Sequence, residues 1–239
     1  MTAASHRRRL SCSERIGALR TAKQGRYHHG ELRAALIDAA IELIGEHGVR
    51  GFSMAEASRR LGVTVAAPYK HFADRDALLT AVAVRASEVL AAAVAVEATN
   101  AVEPADQLAA AARGYVRCAA TNRALFQALF GAGLDKSRHP EIDQAAQPVA
   151  DAFLTPARAV SGGDDAYDLT LAVVAVAHGH ATLLLDGAFG RGQDAVDLAA
   201  RRAAAVTLAV VQGRAAIRES TDPPSAGSGR TRRDRDRTV

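Results

Sequence analysis

Ser53-Met54-Ala55-Glu56-Ala57-Ser58-Arg59-Arg60-Leu61-Gly62-Val63-Thr64-Val65-Ala66-Ala67-Pro68-Tyr69-Lys70-His71-Phe72-Ala73-Asp74 is the stretch that decides how this chain folds. Ser53 followed three residues later by Glu56 is a capping-box pattern: the Ser53 hydroxyl accepts from the Glu56 backbone N–H while the Glu56 side chain reaches back. A short helix should run from there to Leu61, where Gly62-Val63 breaks it. Thr64 is placed to cap a second helix, with Val65 to His71 supplying about two turns before Asp74 opens a third. Two short helices joined by Leu61-Gly62-Val63-Thr64 form a helix-turn-helix layout. Gly62 permits the sharp turn, and Leu61 and Val63 lock the crossing. The second helix presents Thr64, Val65 and Ala66, small or polar residues of the kind that can approach base edges in a major groove. Tyr69, Lys70 and His71 add a hydroxyl, an ammonium and an imidazole suited to phosphate oxygens.

On the N-terminal side, Leu32, Leu36, Ile37, Ala40, Ile41 and Ile44 recur at spacings of three and four, the stripe of an amphipathic bracing helix that Gly48 closes. On the other side, Asp74 begins a long Ala-rich helix reaching roughly Ala98, with Leu78, Leu79, Val82, Val89 and Leu90 as its apolar positions.

The run from Ser53 to Leu79 resembles the DNA-binding region of the tetracycline-repressor (TetR) family. The opening Tyr27-His28-His29-Gly30-Glu31-Leu32-Arg33 and the Ala-Pro-Tyr-x-His-Phe form of the second helix resemble the branch with a Trp-His-Gly signature in its C-terminal domain. This chain has no Trp and keeps only His178-Gly179 of that signature. The resemblance implies a homodimer, with a three-helix DNA-binding domain joined by a fourth helix to a helical domain that dimerises and receives a small ligand. Carried over by position, it implies that Thr64, Val65 and Ala66 approach bases and that Ser53, Tyr69, Lys70, His71 and Arg75 hold phosphates. Arg75 stands for the more usual Lys. Ala57-Ser58 stands where an Ile-Ala pair is common, which implies looser packing of the second helix on the first.

Composition agrees with an all-α fold. Of 239 residues 55 are Ala, the best helix former, and only 4% are aromatic, which nearly excludes a β-sandwich or barrel. Cys12 and Cys118 are a single pair in a chain able to bury its own core, so no disulfide framework is expected and the compartment should be the cytoplasm. The longest uncharged stretch, Leu169 to Leu185, is shorter than the ~20 apolar residues of a membrane span, and no signal peptide is expected. Net charge concentrates in an N-terminal arm, residues 1–26, at +6; residues 219–239 carry +1, leaving about −3 on the body. Both ends are expected to be disordered. The high pI therefore reflects the arm, whose plainest role is a solvated tail and whose functional role is to grip DNA.

The pattern divides the rest into a DNA-binding unit over 27–91 and a regulatory, dimerising unit over 92–218. Helices are expected over Pro104–Ala120, Asn122–Leu134, Glu141–Val160, Asp165–Phe189 and Asp194–Arg218, with a kink or break at Pro148 or Pro156. The Asp165–Phe189 segment is apolar all round and must be covered on two sides. His178 is expected to share one stripe with Tyr167, Leu171, Val174, Thr182 and Leu185. His180, about 200° around the axis, falls with Leu169, Val173, Val176 and Leu184, so the two cannot share a metal. A four-helix dimer interface built with the last helix is the expected solution. Phe126, Phe130, Phe153 and His178 are candidate pocket residues, because apolar pockets between bundle helices with one or two polar groups suit small ligands. No catalytic residues, cofactor or metal site are expected: the sequence has no nucleophile–base pair, P-loop or dinucleotide fingerprint. The expected function is a dimeric, operator-binding regulator, a repressor released by a small molecule. Ligand-independent DNA binding is the alternative, ahead of a helical carrier or enzyme.

Overall fold

The computed structural model describes residues 29–163 and 165–214 and is all-helical there. The basic arm over 1–26, the Tyr27-His28 pair and the tail over 219–239 lie outside the described residues. Eight α-helices follow in order: α1 His29–Gly51, α2 Met54–Leu61, α3 Arg75–Ala98, α4 Pro104–Thr121, α5 Arg123–Gly131, α6 Pro140–Ser161, α7 Ala166–Leu185 and α8 Gln193–Gln212. Short 3-10 turns at Pro68–Lys70 and Lys136–Arg138 complete the set.

The helix boundaries show how local chemistry acts. Gly48 takes φ 71°, interrupting the helical path of α1 near its end. Ser53 caps α2 by accepting from the Glu56 N–H at 3.2 Å, but the reciprocal half of the capping box does not form, because the Glu56 carboxylate pairs with Arg59 instead. Gly62, at φ 67°, ends α2 in the left-handed conformation that glycine adopts without a Cβ penalty, and its N–H donates back to the helix. Asp74 caps α3 by accepting from the Ala77 N–H at 2.8 Å.

The second short helix differs from expectation. Val65 to His71 is not two α-helical turns but a turn leading into the 3-10 segment Pro68–Lys70. Pro68 has no N–H to give the Thr64 carbonyl, which accepts from the Ala67 N–H at 2.9 Å. Lys70 and His71 then donate to Ala67 and Pro68, continuing the three-residue spacing. Helix α6, by contrast, runs unbroken through Pro148 and Pro156, held by the buried Ile142, Phe153, Pro156 and Ala157. Expected helix ends shift by one to several residues: α6 runs Pro140–Ser161, and α7 stops at Leu185 rather than Phe189, while residues 215–218 of the last expected helix lie outside the described residues.

Two cores form. Leu36, Leu43 and Ile44 of α1, Met54 and Ala57 of α2, Phe72, and Leu78, Leu79 and Val82 of α3 make the first, which Leu125 and Ala128 of α5 close. Ala57 and Ser58 are both fully buried, and the Ser58 hydroxyl is satisfied by the Met54 carbonyl at 2.9 Å. The second core joins Leu90 and Val94 of α3 to Leu108, Ala112 and Val116 of α4, Phe153 of α6, Leu169, Val173 and Ala177 of α7, and Ala199 and Ala203 of α8. Alanine predominates because small side chains let helices pack closely. By length and composition α3 and α7 could each cross a membrane, but they contribute many of these core residues. The core face of α7 is Ala166, Leu169, Thr170, Val173, Ala177, Ala181 and Leu184, while Tyr167, Leu171 and Leu183 are exposed. Along the stripe expected for His178, Val174 and Leu185 are half-buried as it is, while Tyr167, Leu171 and Thr182 are exposed.

Candidate functional site

Around the helix-turn-helix, burial alternates with exposure over a few residues. Pro68 and Phe72 are buried and anchor the segment to the first core, while Thr64, Val65, Ala66, Tyr69 and Lys70 face outward. Val65 and Tyr69 are each more than half exposed, at 55% and 54%. His71 is half-buried, and the exposed Ser53 lies at the α2 N-terminus.

Arg75 is turned inward. Its Nη2 donates to the Val49 carbonyl at 2.6 Å and its Nε to the Phe52 carbonyl at 3.3 Å, with the guanidinium 5.8 Å from the Phe52 ring centre. It thereby ties the N-terminus of α3 to the last turn of α1 and to the loop that follows it. Arg60 is likewise engaged, reaching Glu46 and Glu42 of α1, and its hydrogen bond holds the Glu46 carboxyl below its ordinary pKa.

In the second core, three of the four expected pocket residues converge on one another. The His178 ring stacks on Phe126 at 5.4 Å and meets Phe130 edge-on at 4.7 Å, with Phe126 and Phe130 4.8 Å apart. Phe153, fully buried, reaches the group only through Tyr115, at 6.5 Å. Tyr115, which sequence reasoning missed, is the hub: its hydroxyl lies 3.0 Å from His178 Nδ1, and its ring touches Phe126 and Phe130. Its signal was available, as a polar aromatic on the stripe Leu108, Ala112, Tyr115, Ala119. Burial pushes the Tyr115 hydroxyl far up and the His178 imidazole down, so both stay neutral at pH 7. His180 faces elsewhere, stacking on Phe189 and donating from Nδ1 to the Val176 carbonyl at 2.8 Å.

The cavity beside this cluster is small. Ala86, Val89, Leu90, Cys118, Asn122, Leu125, Phe126 and Leu129 enclose about 10 Å³, room for about one water molecule. Burial raises the Cys118 pKa, as suits a packed small side chain rather than a reactive thiol. A separate open depression of about 440 Å³ lies at the α7–α8 connection, near Arg123, Leu185, Gly190 and Arg191.

A polar junction also went unnoticed in the sequence. Glu97 of α3 accepts from Arg113 Nε at 2.8 Å and from Arg117 Nη1 at 2.7 Å, and Arg117 also donates to Asp197 of α8 at 3.3 Å. Burial pushes the Glu97 carboxyl up, but the two arginine hydrogen bonds outweigh it and leave the pKa below its ordinary value. At the same crossing Gly114 lets α4 approach α3 so closely that a Cβ there would lie 3.0 Å from the Ala93 carbonyl oxygen.

A helix-turn-helix braced by α1 and α3 and continued into a larger helical bundle defines the class of DNA-binding transcriptional regulators. Residues 36–82 match the model of bacterial regulatory proteins of the tetR family, and residues 108–207 match the tetracyclin repressor-like C-terminal domain. The chain belongs to the TetR family. Similar solved structures include a protein of unknown function from Rhodococcus sp. RHA1, 29% identical, with TM-score 0.65 over 78% of this chain and 98% of that one. PfmR, a TetR family transcriptional regulator from Thermus thermophilus, is 19% identical, with TM-score 0.58 over 73% and 97%. A tetR family regulatory protein from Rhodococcus RHA1 is 20% identical, with TM-score 0.60 over 75% and 96%. No curated protein matches the chain.

Proposed function

We propose that the chain acts as a non-enzymatic homodimeric repressor that reads a palindromic operator and is released from it by a small molecule. The observation that carries this reading is the outward run Thr64, Val65, Ala66, Tyr69 and Lys70 on a base fixed by Pro68 and Phe72. Thr64, Val65 and Ala66 approach bases, while Ser53, Tyr69, Lys70 and His71 position the phosphate backbone. Arg75 acts first as a strut and contributes positive charge at the same surface. The DNA-binding unit spans 27–91 and the regulatory unit 92–218. Tyr167, Leu171 and Leu183 on α7 and Val206 on α8 are exposed apolar residues that support pairing of these two helices with their copies. Two recognition segments so paired enter major grooves about 34–36 Å apart.

Release works through α5, whose Leu125 and Ala128 belong to the DNA-binding core while Phe126 and Phe130 belong to the aromatic cluster. A ligand seated among Phe126, Phe130, Phe153 and His178 shifts α5, and operator affinity falls by the ligand's differential affinity for the two arrangements. The small cavity favours a second reading, DNA binding without a ligand. Selection of bound fragments from random and genomic DNA at a stated salt concentration tests the operator reading. One palindrome with two half-sites supports it; only salt-sensitive, sequence-independent binding overturns it.

A further inference from the structure

Two features of the aromatic cluster are not accounted for by core packing. Phe130 makes ring contacts with Tyr115, Phe126 and His178, yet it is 46% exposed, so it sits at the mouth of the cluster rather than inside it. The His178 imidazole spends Nδ1 on Tyr115, while its Nε2 makes no hydrogen bond among the described residues. A ring nitrogen next to a displaceable ring is the arrangement of a site filled by its own side chain.

We propose that Phe130 occupies the seat of a neutral, single-ring aromatic ligand carrying a hydroxyl, which displaces the phenyl ring and hydrogen-bonds to His178 Nε2. This rests on the ligand-release reading above and names the ligand class. Size follows from the seat itself: the guest takes over the contacts that one phenyl ring makes with Tyr115, Phe126 and His178, and so is about as large as that ring. A flat ring restores the tilted and edge-on contacts that Phe130 makes with Phe126 and His178, which an aliphatic guest does not. Neutrality follows from the surroundings. None of Tyr115, Phe126, Phe130, Phe153 and His178 carries a charge at pH 7, so a carboxylate or ammonium would enter with no partner for it. The Tyr115–His178 pair serves a hydroxyl in either sense. With Tyr115 donating to Nδ1, Nε2–H donates outward; with Nδ1–H donating to Tyr115, Nε2 accepts. Phe130 is the last residue but one of α5, and Gly131 and Gly133 follow it, Gly133 at φ 65°, so its exit does not require repacking of the buried Leu125 and Ala128.

The experiment titrates phenol, toluene and benzoate into the full-length protein by calorimetry, with operator affinity measured in parallel. Phenol should bind saturably, and toluene about tenfold more weakly for want of the hydrogen bond. Benzoate should bind least. Phe130→Ala, with the seat already vacant, should bind phenol at least about tenfold more tightly. Replacing both polar partners, Tyr115→Phe with His178→Phe, keeps the ring packing and leaves no orphaned group, so it should erase the preference for phenol over toluene. Benzoate binding as tightly as phenol, phenol failing to bind either the wild type or Phe130→Ala, or an unchanged preference in the double variant overturns the proposal. Phenol binding that leaves operator affinity unchanged supports the seat and refutes the release reading, so the two failures are distinguishable.

Discussion

Gly114→Ala is expected to destabilise the protein even though alanine is the better helix former. The new methyl would lie 3.0 Å from the Ala93 carbonyl oxygen and 3.1 Å from Glu97 Cβ and Cγ. The oxygen belongs to the backbone of α3 and cannot swing away, so the two helices must separate by a few tenths of an ångström. Helix propensity contributes about 1 kcal/mol in favour of alanine. Overpacking of this kind costs about 1–3 kcal/mol, leaving a net loss of about 0–2 kcal/mol. Gly45→Ala supplies the comparison. It lies within α1, and its Cβ would meet only Ala124 Cβ, at an ordinary 3.6 Å, so it should gain the full ~1 kcal/mol. Because the propensity gain is common to both, the difference between the variants isolates the clash at about 1–3 kcal/mol. In a protein of this size that separates their melting temperatures by about 2–4 °C per kcal/mol. Thermal unfolding at matched protein concentration reads it directly. If Gly114→Ala melts at or above Gly45→Ala, α3 and α4 are not appressed at this crossing and the reasoning fails.

Lys70→Ala should weaken binding to all DNA sequences and lower the salt slope of binding by about one unit; an unchanged slope in a salt titration means Lys70 points away from phosphate. Arg75→Ala strands the Phe52 carbonyl and leaves the Val49 carbonyl with only the Phe52 N–H, and should cost about 1–3 kcal/mol of stability in denaturant unfolding. Arg75→Lys should recover little of that, since an ammonium cannot fork to both; a lost unit of salt slope with intact stability would instead make Arg75 a phosphate contact. Burial holds the His178 pKa below 6.5, so the unfolded chain takes up that proton first as pH falls. The resulting loss of stability sets in as pH drops through about 6.5 and ends below the folded-state pKa. Melting between about pH 7.5 and 5.5 should therefore fall less steeply in His178→Gln than in the wild type; equal slopes would refute a buried neutral imidazole.

The α-helices were legible where periodicity and caps agree. Ser53, Gly62 and Asp74 each terminate or open a helix through chemistry confined to a few residues, which a sequence displays directly. The recognition segment was misread because Pro68 near its middle acts on a hydrogen bond three to four residues away, turning an expected α-helix into 3-10 geometry. Phe126, Phe130 and His178 could be grouped as apolar or aromatic residues on expected helices. Tyr115 was passed over because its importance depends on a contact 63 residues distant in sequence. The Glu97, Arg113, Arg117 and Asp197 junction was hidden for the same reason: the charges sit on three helices whose rotations no local pattern fixes.

Helix α5 carries a consequence for how the molecule can be divided. A fragment ending at residue 91 would keep α1, α2 and most of α3 but lose Leu125 and Ala128, leaving Leu36, Leu43 and Leu78 with one wall of their core missing. The covalent order of the chain thus places the cut where sequence reading puts a boundary, while the packing places it nowhere: the first core is completed by residues more than thirty positions downstream. Melting should accordingly be a single cooperative event, and a head transplanted onto another family member's body would fold only as well as the foreign α5 happens to fit it.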